Sequence, residues 1–158
     1  KQNKGYIDPR HMVWVFKKVL LSLHYLHSQN IVHGSVTPDN ILVNSKKNPK
    51  NHGLRLSGLT FSSVSGKITE LNPKFNSWYP EECFDKKIYP ETDIYMACQN
   101  FFYMCKDDIP KLIRQYLMGC TLRSWKQRPS CALQLHKEFA NLCLRVYGKP
   151  KFIHLEIQ

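Results

Sequence analysis

YLHSQNIVHGSVTPDNILV, residues 25–43, contains the features around which the rest of the chain is organised. Its first residues complete a helical pattern that ends near Ser28-Gln29-Asn30, where polar residues replace apolar ones. Its last residues, Ile41–Val43, form a short apolar run typical of a strand, and a similar run follows at Leu54–Leu56. Because a polar, glycine-containing stretch separates the two runs, they predict a small β-hairpin.

A long amphipathic helix is predicted immediately before this segment. Asp8 and Pro9 supply an N-cap residue and a proline at the first helical position. Apolar residues then recur at helical spacing, at Met12, Phe16, Val19, Leu20, Leu23 and Leu26. We expect this helix to bury its apolar face in the core.

The remainder of the chain is predicted to be mostly helical. Residues 58–77 are rich in serine and threonine and lack periodicity, which indicates a surface loop. Helical patterns follow at a short turn, a central buried helix and two amphipathic helices: Trp78–Phe84, Asp93–Met104, Ile109–Met118 and Ser130–Tyr147. We expect one domain over residues 1–158, with residues 148–158 as a C-terminal tail.

Residues 25–43 resemble the helix and catalytic loop of protein kinases, whose loop reads H-R-D-L-x-x-x-N. The resemblance continues in the order that the family has. It includes Gly58-Leu59-Thr60 at the D-F-G position, Tyr79-Pro80-Glu81 at A-P-E, Asp93 in the central helix and Arg128-Pro129 before the last helix. It implies a fold of the α+β class, mostly helical, equal to a kinase C-lobe with a small β-hairpin.

The resemblance also implies structural roles for four residues. His33 should pack beneath the catalytic loop, and Asp93 should hold that loop from below. Glu81 should pair with Arg128 across the lobe. All four are expected to support the fold and not to take part in chemistry.

The positions that carry phosphotransfer chemistry in the family are changed here. Gly34 stands for the arginine, Ser35 for the catalytic aspartate, Thr37 for a lysine and Gly58 for the metal-binding aspartate. Only Asn40 remains as a possible metal ligand, so no cofactor and no metal are expected. Leu59 is expected to fill the apolar position of D-F-G still. The resemblance therefore implies an inactive, pseudokinase-like protein.

Two further parts of the family's fold are expected to be absent. These 158 residues do not contain the glycine-rich phosphate loop or the strand lysine of an N-lobe, which either precede them in a longer protein or are absent from a lone C-lobe. Lys106-Asp107-Asp108 replaces the usual segment and helix after the central helix. The shortened connection should expose one flank of the central helix. Phe101, Phe102 and Met104 are accordingly candidates for a partner-binding patch, with local repacking as the alternative.

The chain is basic, with 23 Lys and Arg against 12 Asp and Glu and a net charge of +11. Lys46, Lys47 and Lys50 at the hairpin tip, with Lys67 in the following loop, are candidates for contact with phosphate groups or an acidic protein surface; a solvated surface is the alternative. Six cysteines without a CxxC pair are expected to be buried thiols. They indicate an intracellular setting, cytoplasmic before nuclear, and no membrane span is predicted.

Three functions are consistent with these observations. The first is a scaffold, decoy or regulatory subunit that binds other proteins. The second is a basic module that binds nucleic acid on a kinase-like platform, and the third is residual kinase or nucleotide-binding activity.

Overall fold

A computed structural model describes residues 7–44, 53–67 and 70–150. Helix α1 spans Pro9–Ser28, and the carboxylate of Asp8 accepts the Arg10 N–H at 2.8 Å as its N-cap. The apolar residues predicted from helical spacing lie on its buried face, including Phe16, Leu20 and Leu23. The prediction of a long amphipathic helix with these boundaries is confirmed.

The described residues also form short strands, three further α-helices and several 3-10 turns. Strands are β1 (Ile31–Val32), β2 (Ile41–Val43), β3 (Leu54–Leu56) and β4 (Ser63–Val64), and helices are α2 (Pro90–Cys105), α3 (Lys111–Gly119) and α4 (Ala132–Tyr147). A 3-10 turn at Glu81–Cys83 lies inside the predicted turn. The predicted α+β, mostly helical class is confirmed.

The strands form two antiparallel ladders, only one of which was predicted. Strands β2 and β3 pair as expected, with Leu42 opposite Arg55. Strand β4 pairs with β1, placing Val64 opposite Ile31, and β4 lies within the segment predicted to be a surface loop. A strand of two residues is too short to show the alternation by which strands are recognised. This second ladder attaches the segment after residue 58 to β1, which leads into the polar loop of residues 33–40.

Three phenylalanines join the main helices in the core. Phe16 of α1, Phe101 of α2 and Phe139 of α4 are buried, and their ring centroids lie 4.8 to 6.0 Å apart in edge-on arrangements. Aromatic pairs at this distance are favourable beyond the area they bury. The ring cluster therefore fixes α1, α2 and α4 against one another.

The prediction that Phe101 is exposed on α2 is wrong, and at Phe102 and Met104 the alternative of local repacking applies. Phe101 is fully buried, and Phe102 and Met104 are partly buried against the core. The short connection after α2 brings α3 close, so that the Arg114 guanidinium lies 6.0 Å from the Phe102 ring. Tyr103 is the exposed aromatic residue of this turn, at 58%.

The cysteines follow the prediction of buried thiols with one exception. Five are buried and Cys131 is exposed, and all six are free. Burial raises the pKa values of Cys83, Cys105 and Cys143 to about 12, so these thiols stay protonated at neutral pH. Among the helices that the structure describes, none has both the length and the apolar character needed to cross a bilayer.

Candidate functional site

The polar loop after β1 is held from below by a carboxylate of α2. Asp93 is fully buried, and its Oδ2 and Oδ1 accept the backbone N–H groups of His33 at 2.7 Å and Gly34 at 2.9 Å. The Nε2 atom of His27 lies 2.8 Å from Asp93 Oδ2. Asp93 thus has the position that the resemblance implied, while its contact with His27 was not predicted from the sequence.

His33 connects the loop to the segment after β3. Its Nε2 donates to the Ser57 carbonyl at 2.8 Å, and its Nδ1 accepts the Ser35 N–H at 3.2 Å. This pattern requires the neutral tautomer with the proton on Nε2. Burial lowers the pKa of His33, which favours the same neutral form.

Ser35, at the position of the catalytic aspartate, is enclosed by two amides. It is fully buried, and its Oγ accepts Nδ2 of Asn40 at 3.1 Å and Nδ2 of Asn72 at 3.3 Å. The same Asn40 Nδ2 donates to the Ser35 carbonyl at 2.8 Å. A hydroxyl in this setting has no base directed at it, because His33 Nδ1 bonds the backbone N–H and not Oγ.

A side chain at the position of the metal-binding carboxylate would be strained and would require the Asn40 side chain to move. Gly58 has a φ of +81°, and a Cβ added there would overlap the Asn40 side-chain amide. The nearest carboxylate in the loop sequence, Asp39, is exposed and pairs with Lys74. Since Mg²⁺ prefers carboxylate oxygens, the single amide of Asn40 does not fit a magnesium site here.

Gly34 and Leu59 hold two further positions of the family pattern. Gly34 has a φ of +72°, and a Cβ there would overlap the Phe61 carbonyl and lie 3.0 Å from Ile88 Cδ1. Leu59 is 50% exposed, so the expectation that it fills an apolar position is wrong. Its backbone begins a short turn that directs the side chain to solvent.

Additional polar contacts fix the loop in ways that the sequence did not indicate. The buried amide of Asn100 in α2 donates to the Val36 carbonyl at 2.7 Å. The next residue, Thr37, is fully buried, and its hydroxyl has no hydrogen-bond partner among the described residues. The polar pair Gln99-Asn100 between apolar stretches of α2 was the available signal for the Asn100 contact.

Tyr79 connects the loop to the segment that precedes the turn at 81–83. Its hydroxyl donates to the Gly34 carbonyl at 2.7 Å and accepts the Asn72 N–H at 3.0 Å. Burial raises the pKa of Tyr79, so the phenol remains a donor at neutral pH. Together with the contact between Asn72 and Ser35, this places residues 72–79 directly against the loop.

The predicted pair between Glu81 and Arg128 is wrong. Arg128 binds Glu82 through two contacts of 2.6 and 3.2 Å, with both side chains buried. Glu81 instead accepts Arg123 Nε at 2.7 Å on the exposed surface. Successive residues of a 3-10 turn are about 120° apart, so only one of these glutamates can face Arg128.

Of the four candidate lysines, the structure describes Lys67. Lys67 is exposed in the segment after β4. Lys46, Lys47 and Lys50 lie outside the described residues. No group of three or more His, Cys, Asp and Glu side chains that could hold a metal occurs in residues 7–44, 53–67 and 70–150.

Comparisons with known proteins identify protein kinases as relatives of this chain. The family model described as protein tyrosine and serine/threonine kinase matches residues 1–97. Mouse sperm motility kinase 1 is 41% identical over 56 residues, which cover 35% of this chain and 12% of that protein. Mouse sperm motility kinase 2B is 28% identical over 130 residues, covering 75% of this chain and 26% of that protein.

A further relative matches along nearly the whole chain. Serine/threonine-protein kinase STE20 of Eremothecium gossypii is 26% identical over 155 residues, which cover 90% of this chain and 15% of that protein. The chain thus spans about a quarter or less of the length of these three curated relatives.

Proposed function

The chain belongs to the protein tyrosine and serine/threonine kinase family, and we propose that it is a catalytically inactive member that acts as a scaffold, decoy or regulatory subunit through protein contacts. One observation carries the proposal. The positions of the two family aspartates hold Ser35 and Gly58, and neighbouring amides fill the space beside both.

Phosphoryl transfer depends on the groups that these positions lack. The reaction needs metal ions to neutralise developing charge and a carboxylate to orient or deprotonate the nucleophile. Loss of a general base alone typically lowers a rate by a factor of about 10²–10⁴. With the metal ligand at Gly58 also replaced, ATP bound at this loop would have neither form of assistance.

The loop is also closed to a substrate hydroxyl. Asn72 occupies one side of Ser35, and Tyr79 bonds the carbonyl of Gly34. A peptide entering this position would need to displace both contacts. The segment 72–79 therefore blocks the surface at which the family's aspartate meets its substrate.

The structural contacts of the fold are retained while the chemical groups are not. Asp93 still holds the loop, and a buried glutamate still binds Arg128, although it is Glu82. A rigid fold without its reactive groups supports a role in binding. Scaffold, decoy and regulatory subunit share that requirement, namely a stable surface for another protein.

Thermal unfolding with nucleotide tests the proposal. The chain is heated with and without millimolar ATP and Mg²⁺, because a ligand that prefers the folded state raises the midpoint. We expect no Mg²⁺-dependent shift and no transfer of labelled phosphate to the chain or to a general protein substrate. Asn40→Ala is the site variant, and Asn141→Ala, on the exposed side of α4, is its matched control.

A Mg²⁺-dependent rise in the midpoint that Asn40→Ala abolishes and Asn141→Ala leaves intact would contradict the proposal. It would mean that Asn40 holds a metal in spite of its contacts with Ser35.

A further inference from the structure

Helices α1 and α4 pack against each other and carry almost no negative charge. Residues 9–28 contain no aspartate or glutamate, and α4 contains only Glu138. That carboxylate is occupied, since it accepts Tyr116 of α3 at 2.9 Å and Gln134 at 2.8 Å. The side on which α1 and α4 meet therefore has no free carboxylate from either helix.

Four basic groups converge at this junction. Lys17 and Lys18 of α1 and Lys137 of α4 lie close enough to His136 for their charges to act on its imidazole. Lys18 and Lys137 are exposed, and Lys17 and His136 are half-buried. We call Lys17, Lys18, His136 and Lys137 the basic ridge.

The basic ridge differs from the four Lys and Arg side chains of the described residues that form ion pairs. Arg10, Lys74, Arg123 and Arg128 each pair with a carboxylate. Within residues 7–44, 53–67 and 70–150, no member of the basic ridge has an ion pair. Like charges brought together without an opposite charge repel one another, so the ridge has unused capacity for an external anion.

Apolar side chains continue the exposed face of α1 beyond Lys18. Leu21 and Tyr25 lie three and seven residues further along the helix, on the same face, and are 38% and 69% exposed. A partner that follows this face meets cations first and apolar surface next. Phosphate backbones offer nothing apolar to Leu21, whereas a peptide can present carboxylates and apolar side chains together.

We propose that the basic ridge, with Leu21 and Tyr25, docks an acidic amphipathic peptide segment of a partner protein. Carboxylates of the segment meet Lys18, Lys137 and His136, and its apolar side chains cover Leu21 and Tyr25. Opposite potentials across such a contact speed association and select the partner. The surface lies on α1 and α4 and not at the nucleotide position, so nucleotide binding would overturn the proposed function without affecting this inference.

Docking should be coupled to proton uptake. Burial, and then the charges of Lys17, Lys18 and Lys137, lower the pKa of His136 in the free chain. Lys17 and Lys18 are the charged groups that face it from α1, and Lys137 faces it from α4. Bound carboxylates oppose those charges and favour the imidazolium. Affinity should therefore increase as the pH falls from about 7.5 towards the pKa of His136.

Fluorescence anisotropy with defined probes tests the proposal on the whole chain. The probe is a labelled peptide of Glu and Leu at helical spacing, compared with Gln/Leu and Glu/Ser versions and with a single-stranded RNA of equal charge. We expect the Glu/Leu peptide to bind most tightly and to weaken as salt is added. NMR titration should show a higher pKa for His136 in the peptide complex than in the free chain.

Matched charge reversals locate the contact. Lys18→Glu with Lys137→Glu should weaken peptide binding about tenfold or more. Lys87→Glu with Lys111→Glu changes net charge equally at exposed positions outside α1 and α4, and should change binding by less than about twofold. Circular dichroism and the unfolding midpoint check that each variant is folded. His136→Gln should remove the increase in affinity at lower pH.

Several results would overturn the proposal. They are no binding of the Glu/Leu peptide, equal losses in the two double variants, a pKa of His136 that saturating peptide does not change, or tighter binding of RNA than of the peptide. The last result would identify the surface as a nucleic-acid site.

Discussion

The buried pair between Glu82 and Arg128 gives the most direct test of the fold. Glu82 also accepts the Thr92 hydroxyl at 3.0 Å, while Arg128 donates to the Leu122 carbonyl at 2.6 Å and lies 4.6 Å from the Tyr95 ring. Glu82→Ala leaves the guanidinium buried without its carboxylate. Removing one partner of a buried pair costs about 3–5 kcal/mol, a factor of roughly a hundred or more in the unfolding equilibrium.

Urea unfolding followed by circular dichroism at pH 7 measures this change. Glu81→Ala is the matched control, because Glu81 pairs with Arg123 at the surface, where the Glu81 side chain is 63% exposed and the Arg123 side chain is 84% exposed. An exposed pair contributes about 0–1 kcal/mol. Replacing both buried partners, as Glu82→Leu with Arg128→Met, should restore much of the stability lost in Glu82→Ala, since no unpaired charge remains.

The reasoning is refuted if Glu81→Ala destabilises the chain as much as Glu82→Ala. That result would mean that Arg128 binds Glu81 in solution, as the family pattern first suggested.

Three further outcomes are expected. Burial lowers the pKa of His33 in the folded chain, so below about pH 6.5 the unfolded chain binds more protons than the folded chain and the free energy of unfolding decreases as the pH falls. In urea titrations, His33→Gln should reduce this dependence of the free energy of unfolding on pH. An unchanged dependence would mean that His33 is not buried in its neutral form. Tyr79→Phe leaves the Gly34 carbonyl without its donor and should cost about 1–3 kcal/mol in the same titrations, whereas no loss would show that the contact does not form. Phe139→Ala opens a cavity beside Phe16 and Phe101, and should lower the free energy of unfolding by about 3–5 kcal/mol, against little change for Asn141→Ala.

The long helices could be predicted because their signals are local and repeated. Asp8, Pro9 and the apolar spacing of α1 each indicate the same start and the same buried face. The hairpin of β2 and β3 has two apolar runs and a glycine between them. In contrast, β1 and β4 have two residues each, and their pairing depends on a contact between segments about 30 residues apart.

The wrong predictions concern the direction in which a side chain points, and not the type of residue. The sequence contains both Glu81 and Glu82, and only the backbone of the turn decides which one points inward. Phe101 was expected to be exposed because a usual neighbour is missing, but its position on α2 faces Phe16 and Phe139. Such outcomes depend on packing between elements that no local pattern specifies.

The sequence predicts which family aspartates are replaced at the candidate site, but not which side chains surround the residues that stand there instead. Ser35 and Gly58 are visible in the sequence at positions where the family has aspartates. The amides of Asn40 and Asn72 that enclose Ser35 are separated from it by 5 and 37 residues. These amides enclose Ser35 because residues 72–79 pack on the loop, and no local sequence pattern indicates this packing.

Gly34 and Gly58, whose backbones have positive φ angles, limit which substitutions the chain can accept. An aspartate at position 58 would meet the Asn40 amide, and any side chain at position 34 would meet the Phe61 carbonyl. A side chain at either of these two positions would be strained by the positive φ angle, so each of these two changes towards the family residue should destabilise the fold. Acceptance of the family residues at positions 34 and 58 would therefore require accompanying changes in their neighbours, such as Asn40 and the segment around Phe61.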